Sequence, residues 1–249
     1  MRRARCAALV VCILAFSPLA NAAEITVLSA GAVEPALRAA AASFRAQSGH
    51  EVTITFNTAP QIQKRLAAGE AFDVVIVPAA ALGELARAGT VSDERVNIGR
   101  VGLGVAVRPA APVPDISSAE ALTRSVLQAE SIVFNRATTG MYIEALLKKM
   151  GIYDQVEART TRYADGASVM EHVLKGKGRE IGFGPITEIL LFRDKGVRFV
   201  GPLPPDVQNY TSYGAAPLTA RAGTEPVRAF IRYLGSPDAK ALFVAAGVD

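Results

Sequence analysis

Short apolar runs alternate with amphipathic stretches along almost the whole chain. Residues 25–28 (ITVL), 52–56 (VTITF) and 72–77 (FDVVIV) predict strands. Between them, 33–47 predicts a helix with Val33, Leu37, Ala40, Ala41 and Phe44 on one face and Gly49 as its stop. Residues 61–68 predict a second helix, ended by Gly69, and Pro78 opens a third as a first-turn proline. The run VGLGVAV at 101–107 predicts a long strand, followed by a proline-rich stretch at 109–114. A second alternating unit spans 117–200, with strands at 131–134 and 181–184 and helices at 141–150, 166–174 and 186–194. GPLPPD at 201–206 breaks it, 210–218 predicts a returning strand, and helices at 225–234 and 237–246 end the chain.

Strands alternating with helices of ordinary length argue for an α/β fold of parallel sheets with helices on both faces. The apolar runs are nearly continuous, as expected of strands buried on both faces. Two proline-rich breaks bracket one α/β unit within another. This predicts two lobes joined by two crossover segments, with 23–107 plus 209–249 in the first and 108–208 in the second. No internal repeat is evident.

The first 22 residues predict a leader rather than fold. Met1-Arg2-Arg3-Ala4-Arg5 is basic, residues 6–16 are apolar but too short to span a bilayer, and Ala20-Asn21-Ala22 fits a cleavage site before Ala23. That reading changes the composition. Both cysteines, Cys6 and Cys12, fall in the leader, so the 227 residues that remain have none and need no disulfide. Three arginines leave with it, and Lys+Arg drops from 27 to 24 against 23 Asp+Glu. A net charge of +1 gives no reason to expect nucleic acid or a membrane surface as a partner. The expected location is the periplasm.

Ligands of open α/β sheets bind beyond the carboxyl ends of strands, at helix starts. Three polar strand-to-helix turns stand out: SAGA at 29–32, NTAPQ at 57–61 and NRATTG at 135–140. Helix-start N–H groups lack intrahelical partners and carry partial positive charge, so several converging on one cleft form an anion site. Ser29 and Thr58 are equally readable as turn or capping residues, and Thr138 or Thr139 as an N-cap. Arg136, directly after an apolar strand, suits a carboxylate or oxyanion, or a surface ion pair. Two histidines and no remaining cysteine argue against a metal cluster, and neither a Walker, a Rossmann nor a Gly-x-Ser-x-Gly pattern is present.

The segments ITVLSAGAVEPAL, VTITFNTAPQIQKRLAAGEAFDVVIVP, TTGMYIEALLKKMGIYDQV and VRAFIRYLGSPDAKALFVAAGV resemble the periplasmic molybdate-binding proteins of ABC importers, which are type II solute-binding proteins. The resemblance covers nearly all of the chain after the leader. It implies a two-lobed type II periplasmic binding protein fold, a small anion in the interlobe cleft, an ABC permease as partner, a monomer, and neither cofactor nor metal. The family holds its oxyanion with hydroxyls in the first two turns, backbone N–H groups near the third, and a later tyrosine. On this chain those positions fall at Ala32, at Thr58-Ala59-Pro60 and at Pro185. Two of the three side-chain ligands are thus replaced, while Asn57 and Arg136 are added. The expected binding set is Ser29, Gly31, Ala32, Asn57, Thr58, Arg136, Thr138, Thr139, Gly140, Gly166 and Pro185.

The replacements suit a carboxylate better than molybdate. Aconitate isomerase, an enzyme similar to this family, moves a double bond between cis- and trans-aconitate by proton transfer. That alternative needs a base, for which Tyr210, Glu188 and His172 are candidates, and clamps, for which Arg136, Arg162 and Arg65 are candidates. The sequence does not choose among them.

Overall fold

The computed structural model describes residues 22–249, so the expected leader lies outside it apart from Ala22. The strands are β1 (Glu24–Ala30), β2 (Glu51–Asn57), β3 (Val74–Pro78), β4 (Val96–Val107), β5 (Ser131–Asn135), β6 (Thr160–Tyr163), β7 (Glu180–Pro185), β8 (Arg198–Pro202) and β9 (Tyr210–Pro217). The helices are α1 (Glu34–Ser48), α2 (Ala59–Ala67), α3 (Ala79–Arg87), α4 (Ala119–Gln128), α5 (Thr138–Lys149), α6 (Tyr153–Val156), α7 (Gly166–Lys175), α8 (Ile186–Leu191), α9 (Glu225–Leu234) and α10 (Pro237–Ala245). A single 3₁₀ turn, Gly31–Val33, joins β1 to α1.

The strands run in the order β2-β1-β3-β9-β4-β7-β5-β6, with β8 also on β4. The β1–β2, β1–β3, β5–β6 and β5–β7 pairs are parallel, and those involving β9 and β4 are antiparallel. The molecule is therefore a mixed α/β fold of two lobes, and β4 belongs to both. Its first part, Val96 to Gly102, pairs with β9, and its second, Leu103 to Ala106, pairs with β7. The chain thus changes sheets within β4, ahead of the prolines at 109–114.

Burial follows this division. One apolar core draws on residues between Ile25 and Val101 and between Tyr213 and Val248. The other two draw only on residues between Leu103 and Leu203 and lie on opposite faces of the second sheet. Side chains alternate faces along a strand, so Ile132 and Phe134 enter one of these cores and Val133 the other. The helix α1 buries Ala36, Leu37, Ala40, Ala41 and Phe44 and stops at Gly49, whose φ of 76° is left-handed.

Element ends shift where local chemistry overrides the apolar pattern. The helix α2 starts at Ala59 because Gln61 Oε1 accepts the Thr58 N–H at 2.9 Å and so caps the first turn. The strand β4 starts at Val96, five residues before its apolar run, because β9 supplies a partner that far back. The strands β6 and β8 have no counterpart in the sequence reading; both are half-buried edge segments without a continuous apolar run.

Gln208, where the chain returns between lobes, fastens the two crossings together. Its Oε1 accepts the Leu103 N–H at 2.9 Å, and its Nε2 donates to Leu103 O at 3.0 Å and Leu203 O at 3.4 Å. Leu103 is 1% exposed, so removing this amide would leave its buried N–H unpaired, while its carbonyl keeps the Leu203 N–H at 3.0 Å. Gln208→Ala should therefore cost about 1–3 kcal/mol in urea unfolding; an unchanged midpoint would show that water replaces the amide.

Candidate functional site

Several strand ends converge between the lobes. The ends of β1, β2, β3, β5 and β7 each pass into a helical segment there, and Ala30, Asn57, Pro78, Asn135 and Pro185 all line one space. The space they enclose is small, about 30 Å³. It adjoins a larger cavity of about 220 Å³, with Phe56, Leu191 and Phe192 as its apolar part and Glu34 and Asp165 as acids. Gly31, Asn57 and Glu188 belong to both. A surface groove of about 280 Å³ beside α4 lies away from this convergence. Its buried acid, Glu180, is already engaged: Oε1 accepts the Lys177 and Gly178 N–H groups, and Arg108 Nε stands 3.6 Å from Oε2. The interlobe cleft is thus the candidate site.

The start of α5 shows how an anion position forms without charged side chains. The first four N–H groups of a helix, from the N-cap Ala137 to Gly140, have no intrahelical acceptor. Asn135, 4% exposed, uses one oxygen to accept two of them, Ala137 N–H and Gly140 N–H, each at 3.0 Å. Those of Thr138 and Thr139 remain, and both residues line the small cavity. The turn has no room for a larger residue at 140, because a Cβ there would lie 1.6 Å from the Asn135 carbonyl oxygen. Across the cleft, Arg65 Nη1 donates to Asn57 Oδ1 at 2.8 Å and Asn57 Nδ2 donates to Gln61 Oε1 at 3.5 Å, which fixes that amide and leaves one of its N–H groups as a donor.

Of the expected binding residues, Gly31, Ala32, Asn57, Thr58, Thr138, Thr139 and Pro185 line the small cavity, and Gly166 lines the larger. Gly140 lies beneath, bonded to Asn135. Ser29 is fully buried with its hydroxyl donated to Ala30 O, and it is outside both linings. Arg136 is exposed and also outside them; its N–H ties β5 to Tyr163 O. Neither lining contains a lysine or arginine. The other proposed clamps are engaged elsewhere: Arg162 pairs with Glu144, and Arg65 with Glu70 as well as Asn57. Among the described residues no three His, Cys, Asp or Glu side chains gather as a metal site.

The three candidate bases separate cleanly. Tyr210 is 48% exposed beneath Arg100, and His172 bonds Tyr163 through Nδ1 at 3.0 Å; neither lines the cleft. Glu188 does. It sits in α8, which Thr187 fastens to the first lobe by donating its hydroxyl to Ala32 O at 2.5 Å. The Glu188 carboxyl lies between two glycines from opposite lobes. A Cβ on Gly31 would be 2.9 Å from Oε1, and one on Gly166 would be 1.8 Å from Oε2. The residue keeps some surface, but Oε2 has none and no hydrogen-bond partner. Burial, and then the nearby carboxylates of Asp165 and Glu34, push its pKa up to about 7. Asp165 is held in place as the cap of α7, accepting Ser168 N–H at 2.8 Å, and Glu34 by Arg38 at 2.8 Å.

Asn135, Asp165 and Glu34 were not in the expected set. Asn135 stood in the NRATTG turn but beside a more conspicuous arginine. Asp165, as the N-cap of α7, reads locally as a capping residue and nothing more.

A bacterial extracellular solute-binding protein family model matches residues 25–249. The chain belongs to that family. An aconitate isomerase from Pseudomonas sp is 30% identical over 236 residues, covering 91% of this chain and 89% of that protein. The periplasmic molybdate-binding protein of Azotobacter vinelandii superposes with a TM-score of 0.75 at 18% identity, over 90% of this chain and 98% of that one. The sulfate-binding protein SubI of Mycobacterium tuberculosis H37Rv gives 0.70 at 17%, over 91% and 86%. These two likenesses establish the solute-binding fold.

The raised Glu188 pKa has a signed consequence. The native state holds this proton more tightly than the unfolded chain, whose carboxyl titrates near 4.5. The stabilisation is full below that value and is lost as pH rises through about 7. Between about pH 5 and 8, wild type should lose on the order of 1–3 kcal/mol relative to Glu188→Gln in urea unfolding. Parallel pH profiles for the two proteins would contradict a buried acid.

Proposed function

We propose that the protein acts in the periplasm on a small organic carboxylate bound in the interlobe cleft, moving a proton on carbon with Glu188 as the base. The observation that carries this reading is the Glu188 carboxyl, enclosed between the lobes, without a hydrogen-bond partner at Oε2 and with a pKa pushed to about 7. A general base works best when its pKa lies near the working pH. A cleft meant only to hold an oxyanion gains nothing from a buried acid in its wall, since an ionised carboxylate repels the ligand.

The remaining parts have complementary tasks. The Thr138 and Thr139 N–H groups and the threonine hydroxyls hold a substrate carboxylate, and the Asn57 amide adds a donor. Arg136, one residue from Asn135 and Ala137, supplies positive charge at the rim. A carbon bearing hydrogen next to that carboxylate then lies at Glu188, where a proton can leave and return. Interconversion of cis- and trans-aconitate fits this chemistry, and the 30% identity to an aconitate isomerase supports it.

One observation favours a second reading, capture of an oxyanion or carboxylate for an ABC permease. The cleft linings offer neutral donors and no lysine or arginine, which suits recognition by hydrogen-bond count.

The test is catalysis by the purified chain from Ala23. Wild type should interconvert the aconitates, followed by ultraviolet absorbance, and Glu188→Gln should lower kcat by about 10²–10⁴-fold. In parallel, a ligand at 100 times its Kd should stabilise the fold by about 2.7 kcal/mol. Stabilisation by molybdate or tungstate, with no turnover of either aconitate, would overturn the isomerase reading in favour of capture.

A further inference from the structure

Proton abstraction from carbon leaves negative charge on the substrate, and the cleft contains a side chain suited to receive it. Tyr213 lies in β9, opposite Pro78 of β3 on one side and Gly99 of β4 on the other. It is 5% exposed and lines the small cavity together with Glu188, Asn135, Thr138 and Thr139. Two tyrosine hydroxyls of the second lobe are engaged elsewhere: Tyr142 donates to Val207 O at 2.9 Å, and Tyr163 bonds His172. Tyr213 instead has Thr211, two residues back on the same face of β9, as its neighbour at the hydroxyl. Burial first, and the Glu188 charge second, raise its pKa further above the usual phenol value, with Thr211 opposing weakly. The phenol therefore stays neutral, which makes it a hydrogen-bond donor and not a second base.

We propose that Tyr213 donates a hydrogen bond to the substrate carboxylate oxygen that gains charge as Glu188 removes the proton, a role that rests on the isomerase reading. The C–H bond breaks, its proton joins Glu188, and its electron pair spreads over the allyl carbons and the adjacent carboxylate. Glu188, whose proton can meanwhile exchange with solvent, then protonates the far end of the allyl system, and the double bond re-forms one carbon along. Nothing is oxidised or reduced, and no atom leaves. During the first step negative charge moves from Glu188 to the substrate oxygen. A neutral donor fixed in a buried wall stabilises that oxygen without having to reorganise.

The experiment compares wild type, Glu188→Gln and Tyr213→Phe on cis-aconitate. It follows isomerisation by absorbance and exchange of the substrate methylene hydrogens with deuterium oxide by NMR. Tyr213→Phe keeps the ring and its packing. Its kcat and its exchange rate should both fall about 10²–10³-fold, as when one oxyanion donor is removed, while KM stays within about threefold, as expected for an interaction made only in the transition state. Fluorinated tyrosine at 213 retains the fold and should change kcat with phenol acidity. An active wild type with inactive Glu188→Gln, but Tyr213→Phe and the fluorinated proteins within about threefold of wild type, overturns the role of Tyr213 alone. A higher KM with unchanged kcat does the same, because it makes Tyr213 a ground-state contact. Wild type that neither isomerises nor exchanges overturns the isomerase reading and this role with it.

Discussion

A helix cannot satisfy its own first N–H groups, and the cleft of this protein is organised around that deficit. Five strands end at the same place, and each hands the chain to a helical segment there. The geometry follows from parallel pairing: β1 with β2 and β3 in one sheet, β5 with β6 and β7 in the other. Parallel neighbours end on the same side, so their helices start on the same side. Asn135 then decides how much of the deficit stays open at α5, absorbing two N–H groups with one oxygen. The selectivity of such a site lies in which donors are consumed internally.

Against this background of neutral donors, Glu188 is an anomaly that the surrounding structure maintains. Its carboxyl is enclosed by glycines because any side chain at Gly166 or Gly31 would occupy its space. The two acids that raise its pKa are both held by bonds of their own, Asp165 to a backbone N–H and Glu34 to Arg38. The field at Glu188 is thus set by groups with fixed positions. Helix-start N–H groups hold an anion without such an acid, so anion binding alone does not account for it.

Much of the architecture was legible because it is written in apolar periodicity. The face of α1, its stop at Gly49 and the buried run of β3 were all read correctly from residue type and spacing. What escaped depends on partners rather than pattern. The first residues of β4 become a strand only because β9 lies alongside, and β6, TTRY, has no apolar run at all. At the site, Arg136 drew attention through its formal charge, but an exposed guanidinium is not what lines the cavities. The N–H groups that do are invisible in any sequence, since every residue but proline has one. Glu188 was one of three candidate bases, and only the packing of α8 against the first lobe separates it from Tyr210 and His172.

The bonds from Gln208 to Leu103 and Leu203 give the two crossings a mechanical meaning. Two chain segments that pass between bodies independently would leave those bodies free to shear as well as to turn. Stitched side by side, they act as one joint, and sliding one past the other would break both bonds between Gln208 and Leu103. The two walls of the cleft are thereby held in one registration, so that donors contributed from either side face each other without further guidance.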